Sequence, residues 1–165
     1  MKNPKPIKRH PAIIELSKDH HFALLLIWKI REGLKKSVEP GRISRYIIHF
    51  FDTDLIKHFA DEEEVLFNKI SPENSLLKEA IQQHRSIKQI VVDIRNNVDD
   101  LNTFEQFADM LEKHIRFEER ELFNYLQENI SEATLQEVAA SLKSRQPKPS
   151  GIWNDIFWET KAPKV

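Results

Sequence analysis

The sequence contains no cysteine, which excludes disulfides, thiolate metal sites, iron-sulfur ligation and a cysteine nucleophile. Any metal must bind through His and carboxylate side chains. Only three glycines occur, none in the middle of a long apolar-periodic segment, and alternation of apolar and polar residues is nowhere sustained, so strands are disfavoured. The longest apolar run, Phe22 to Trp28, is far shorter than the roughly 20 residues a membrane-spanning helix needs, and no secretory apolar core opens the chain. Charged residues make up 31% of the chain yet leave a formal net charge of -1, so no basic field attracts nucleic acid or anionic lipid. A soluble, cytoplasmic protein is expected.

What is present is helical. The 165 residues suit one domain with a continuous core. An arm with Pro4, Pro6 and Pro11 precedes a helix expected from a Ser17 cap to about Lys36, and Glu39-Pro40-Gly41 breaks the chain. A second helix runs from about Arg42 to Ile70 with an apolar stripe through Ile47, Phe51, Leu55, Phe59 and Leu66. Ser71-Pro72 opens a third helix that reaches about Asn97, and Thr103 with Gln106 opens a fourth that reaches about Asn129. Short connections imply antiparallel neighbours. The expected architecture is an all-α, up-down antiparallel four-helix bundle over residues 1–145. Ser131 caps a short fifth helix from Glu132 to about Lys143, and residues 146–165 form a linker and an aromatic tail. That tail, Ile152 to Trp158, either docks on the bundle or makes a homodimer contact.

Residues 58–67, HFADEEEVLF, and 114–123, HIRFEERELF, share the frame His-apolar-x-x-Glu-Glu-x-x-Leu-Phe. Upstream, His20 is followed by Ile30-Arg31 and His84 by Ile94-Arg95 at the same distances, so each half reads as a helix with one His, then a helix with His-x-x-x-Glu. Residues four apart share a helix face, so His58 with Glu62 and His114 with Glu118 each present an imidazole and a carboxylate together. A single pair of this kind often only stabilises a helix surface. The common frame, and a lone His on each remaining helix, instead direct His20, His58, His84 and His114 into one core with Glu62 and Glu118. His20 shares a stripe with Leu24 and Ile27, and His84 with Ile87 and Val91.

Six buried imidazoles and carboxylates call for cations, because an unpaired buried charge is very costly. A sulfur-free set of six argues against a closed four-ligand zinc site and suits two metals. If each ion takes two imidazoles, both carboxylates bridge and an oxo or hydroxo oxygen joins them, an octahedral iron keeps an open position. None of the seven His has Glu three residues before it, unlike the Glu-x-x-His motifs of ferritin-type sites.

The DHH at 19–21, HFADEE at 58–63, QQH at 82–84 and HIRFEE at 114–119 resemble the hemerythrin HHE cation-binding family over about residues 12–130. The resemblance implies a four-helix bundle with a di-iron centre that binds dioxygen or nitric oxide, or senses iron and oxygen. Its ligands would be His20, His58, Glu62, His84, His114 and Glu118. Oxygen-carrying members have a fifth histidine one turn after the third-helix ligand, where Lys88 stands here. The four-His, two-Glu set is similar to the di-iron domain of iron-sulfur-centre repair proteins, without their cysteine-bearing domain.

Several residues are set aside. His21 lies about 100° round the helix from His20 and His49 about half a turn off the ligand face of His58, while His10 falls in the arm. Glu63, Glu64 and Glu119 are expected to point outward into solvent or ion pairs, and Arg31 and Arg95 to pair with acidic residues. Trp28, Phe51, Phe59, Phe67, Phe117 and Phe123 read as core. A binding or sensing module for a diatomic ligand is expected rather than an enzyme, with repair, peroxidase or reductase activity as the alternative and a metal-free interaction bundle as the third reading.

Overall fold

A computed structural model describes residues 8–145 and 153–159. Among them there is no strand, and the helices form five continuous stretches. The first is α1 (Pro11–Lys35); the second joins α2 (Pro40–Phe50), a π turn (Phe51–Leu55), α3 (Ile56–Asp61), a π turn (Glu62–Leu66) and a 3-10 turn (Phe67–Lys69). The third is α4 (Ser75–Asn96), the fourth joins α5 (Leu101–Phe117), a π turn (Glu118–Leu122) and α6 (Phe123–Asn129), and the fifth is α7 (Glu132–Ser144). No helix among the described residues is long and apolar enough to cross a membrane.

Local chemistry sets the ends. Helix α1 begins six residues before the expected Ser17: His10 Nδ1 accepts from the Ala12 amide and Pro11 occupies the first turn, where its missing N–H costs nothing. Asn74 rather than Ser71 caps α4, accepting from the amides of Leu76 and Leu77. Asp100 caps α5, so Thr103 lies inside the helix and donates its hydroxyl to the Asp100 carbonyl. Ser131 caps α7 as expected, accepting from the Thr134 amide.

Each π turn that starts at Glu62 or Glu118 changes which residues face inward. Nine residues of regular α-helix place a side chain about half a turn from the first, which would turn Phe67 away from His58 and Phe123 away from His114. The extra residue of a π turn restores the match, and Phe67 and Phe123 are both buried.

The apolar core is divided into two clusters. Along α1 the chain passes from Ile13 and Leu16 in one cluster, through His20, to Leu26 and Ile30 in the other; along α4 it passes from Leu77 through His84 to Val91 in the same sense. The second and fourth stretches run the other way, Phe59 to Leu66 past Glu62 and Leu111 to Leu122 past Glu118. A polar layer therefore lies between the two clusters.

Two expected core positions are exposed. Trp28 is 50% accessible, and Leu24 is accessible where Ala23 and Leu26 turn inward on either side of it. Of the tail, Pro147, Pro149 and Ile152 lie outside the described residues, as do Pro4 and Pro6 of the arm. The described part docks: Phe157 is buried, Asp155 pairs with Arg42 at 2.6 Å, and Trp153 packs on Tyr46 and His49. Gly33 permits that seat, because a Cβ there would come 2.8 Å from the Phe157 ring.

Candidate metal centre

The polar layer brings together the six residues singled out by the repeat. His20 comes from α1, His58 from α3, His84 from α4 and His114 from α5, while Glu62 and Glu118 each open a π turn. All six are buried. Their donor atoms fall into two groups, His20, His58 and Glu62 in one and Glu62, His84, His114 and Glu118 in the other, each within 4.8 Å. Glu62 belongs to both. Glu118 also reaches across, with Oε2 3.8 Å from His20 Nε2 and Oε1 3.5 Å from His84 Nε2.

Most of the inward-facing atoms lack hydrogen-bond partners. Both carboxylate oxygens of Glu62 and of Glu118, and Nε2 of His84 and His114, are buried without one. Atoms nonetheless come close: His58 Nε2 lies 2.7 Å from Glu62 Oε1 and 3.2 Å from His20 Nε2, and His114 Nε2 meets Glu118 Oε1. The contact between His58 and His20 is a hydrogen bond; at the carboxylates, close approach without donor alignment is what lone pairs aimed at a common point produce. Orphaned buried carboxylates cost several kcal/mol each in real proteins unless a cation compensates them. The donor set fits metal ions.

Three of the four outward nitrogens are engaged. His20 Nδ1 lies 2.9 Å from Glu119 Oε1, His58 Nδ1 3.0 Å from Asp19 Oδ2 and His114 Nδ1 2.7 Å from Gln83 Oε1. His84 Nδ1 faces Glu63 Oε2 at 3.6 Å. That separation is beyond a hydrogen bond, and His84 Nδ1 is buried without a partner; at the other three imidazoles the partner presents an acceptor, so Nδ1 carries a proton and Nε2 is left to face the centre. The partners obey the repeat. Asp19 and Gln83 each precede a lone His and serve the His-x-x-x-Glu histidine of their own half, whereas Glu63 and Glu119 each follow a buried Glu and serve the lone His of the other half.

Charges follow this geometry. Burial opposes protonation of His58, but the charge of Glu62, the hydrogen bond to Asp19 and Glu118 carry it up to about 10. Burial likewise opposes His84, and Glu118, Glu62 and Glu63 carry it up to about 11. Burial disfavours the Glu118 anion, but His114 and its neighbours hold it well below the usual carboxylate range. Against the same opposition, His20, Ser17 and Arg9 bring Glu119 down to about 2. Without a cation, protons on His58 and His84 help to balance the Glu118 anion; a cation would replace those protons.

The remaining candidates lie elsewhere. His21 is exposed, His49 packs on Phe50 and Trp153, and His10 is a helix cap whose Nε2 lies 3.0 Å from Glu132. Glu64 pairs with Arg145, Arg31 with Asp109 and Glu112, and Arg95 with Asp52. Lys88 stands 3.9 Å from Glu63, outside the ligand cluster. Glu63 and Glu119 make the expected ion pairs, with Lys88 and Arg9, but each also turns toward an imidazole instead of pointing away from the centre. Asp19 and Gln83 were not singled out in the sequence, although a polar residue before the lone His of both halves was a readable signal.

A cavity of about 420 Å³ opens against one side of the centre, where His20, His58 and His114 form part of its wall.

The profile of the hemerythrin HHE cation binding domain matches residues 12–126. A DNA nickase of Nostoc sp. (strain PCC 7120 / SAG 25.82 / UTEX 2576) is 26% identical over 127 residues, an alignment that covers 70% of this chain and 34% of the nickase. The chain thus spans about a third of the length of that relative. No solved structure matches.

Proposed function

We propose that this chain, which belongs to the hemerythrin HHE cation-binding family, holds two iron ions and uses them to bind or sense dioxygen or nitric oxide. His20 and His58 would hold one ion, His84 and His114 the other, and Glu62 and Glu118 would bridge them. The observation that carries this reading is the convergence of buried donor atoms: Nδ1 of His20, His58 and His114 is occupied by an outer acceptor, while Nε2 of His84 and His114 and all four carboxylate oxygens of Glu62 and Glu118 are buried without partners. The alternating passage of successive helices between the two apolar clusters supports an up-down antiparallel order of four helices around the centre.

Bound iron would supply reversible electron donation to a diatomic ligand. The protein's part is to orient the imidazoles, hold Glu62 and Glu118 in a buried layer, and exclude bulk water. Phe59 stacks on His84 with ring centroids 4.1 Å apart, and Phe123 on His20 at 5.3 Å, so the rings cannot swing out of line. The cavity beside His20 and His58 gives a small molecule a way in. No organic substrate is required.

Anaerobic loading with ferrous iron should leave about two equivalents per chain after desalting, as six ligands in two groups imply. Less than about one equivalent, unchanged by His58→Ala or Glu118→Ala, would overturn the proposal. Absorption spectra of the reduced protein mixed with dioxygen and with nitric oxide then separate reversible binding from consumption.

A further inference from the structure

The cavity is far larger than a diatomic ligand requires. At about 420 Å³ it lies within the roughly 300–1,000 Å³ of sites for organic molecules, whereas one water needs only about 10–15 Å³. Its walls are mainly apolar, with Leu26, Phe50, Leu55, Phe59, Leu111 and Ile115 among them. Apolar walls of this extent make few dispersion contacts with water. An organic guest would supply more.

The charges around the cavity are unequal in their partners. Lys57 pairs with Asp61 at 2.7 Å, Asp61 also meets Arg145 at 3.0 Å, and Asp19 is engaged by His58. Asp54 is exposed, where water screens it. Lys29 differs. The residue is half-buried, and its ammonium lies 4.2 Å from the Trp158 ring centroid and 5.9 Å from that of Tyr46 and has no carboxylate partner among the described residues. Burial also lowers its pKa. Aromatic faces stabilise an ammonium only partly, so an anion arriving in the cavity gains a charge-assisted hydrogen bond.

We infer that the cavity binds an organic monocarboxylate with an apolar body, its carboxylate on Lys29 and its hydrocarbon portion extending toward His20 and His58. The inference deepens the metal reading, on which it rests only for what the far end of the ligand meets; cavity and ammonium are properties of the chain itself. A monocarboxylate satisfies the lone ammonium, and the apolar walls reward the rest of the molecule by roughly 25 cal/mol for each Å² removed from water.

The test is calorimetric titration of the full chain, metal-free and iron-loaded, with octanoate, octanol and octylammonium as probes. Octanoate should bind saturably to one site and more tightly than octylammonium. Lys29→Met should weaken octanoate about tenfold, the order expected for losing a hydrogen bond to a charged group, and leave octanol within about twofold, since its apolar burial is unchanged. Lys29→Arg should retain most of the octanoate affinity, and Leu25→Trp at the accessible rim should weaken octanoate and octanol alike. Failure of octanoate to saturate the wild-type chain, an equal or tighter affinity for octylammonium, or an unchanged affinity in Lys29→Met would overturn the inference. Octanoate binding to a chain that retains no iron would uphold the site while the metal reading fell; iron uptake without octanoate binding would do the reverse.

Discussion

The two halves of the repeat place equivalent ligands in unequal surroundings. His20 and His58 of the first half both border the cavity, and the acceptor behind His58 is Asp19, a carboxylate 51% exposed. In the second half only His114 borders the cavity, its acceptor Gln83 is a buried amide, and His84 lies stacked on Phe59 and Phe67. The sequence frame fixes where the ligands go. The residues beside the ligands decide which side of the centre is open and how much charge stands behind it. On the two-ion reading proposed above, an open first side and a closed second side would suit one ion that exchanges ligands and one that anchors.

The largest expected effect follows from what the halves share. Because Glu62 belongs to both donor groups and Glu118 reaches both lone histidines, Glu62→Ala or Glu118→Ala should abolish binding of both ions. His58→Ala, confined to the open half, should leave about one ion in place, because the four-ligand group stays intact. Iron content after anaerobic loading and desalting decides the matter: equal losses in His58→Ala and Glu118→Ala would remove the distinction between the halves.

Much of this centre was readable because its logic is local and repeated. His-x-x-x-Glu pairs share a face by helix geometry alone, and repetition separated His20 from His21. The outer acceptors were less visible: a residue next to a ligand points about 100° away on the helix, and only the third dimension shows what it meets. Glu63 and Glu119 are present in the repeated Glu-Glu, but helix periodicity points them outward, to solvent or ion pairs, and does not show the imidazoles they face. The π turns were invisible, since a shift of hydrogen-bond register leaves no period in the sequence. The start of α1 was missed because Pro11 was grouped with the arm, although proline fits a first turn. Trp28 was assigned to the core on its composition; its neighbours Ile27 and Ile30 are the residues that turn inward.

The outer acceptors give the next contrast. Gln83→Leu removes a buried acceptor and frees His114 to turn or change tautomer, so metal affinity at the closed half should fall about 10–100-fold, the usual effect of losing an outer-sphere partner. Asp19→Asn keeps an acceptor and alters an exposed site, so its effect should be smaller. Competition with a chelator of known affinity measures both. A larger loss from Asp19→Asn would invert the assignment of anchor and exchange sides.

Protonation distinguishes the metal-free chain from the loaded one. His58 and His84 are raised to about 10 and about 11 in the folded, metal-free state, above an ordinary value of about 6.5. A raised folded pKa adds stability that is fully present below the unfolded pKa and is lost as pH rises through the folded one. The melting temperature of the metal-free chain should therefore fall progressively between about pH 6.5 and pH 10. Metal replaces the protons, so the loaded chain should lack this decline, and parallel pH profiles for the two forms would count against ligation by these imidazoles.

The smallest contrast lies one layer further out, where each half supports its outer Glu with a cation. Arg9 donates to Glu119 at 2.8 Å and to Asn124 at 2.7 Å, and its guanidinium lies over Phe123. Lys88 stands 3.9 Å from Glu63 and is 40% exposed, so water screens the pair. Arg9→Ala should then cost about 1.5–3 kcal/mol, the range for hydrogen bonds to charged groups, while Lys88→Ala should cost under about 1 kcal/mol. Urea unfolding of the metal-free variants measures the difference. Equal costs would mean that Arg9 acts only as a surface ion pair and that the support of His20 ends at Glu119; the expected inequality extends it from the arm before α1, through Glu119, to the open side of the centre.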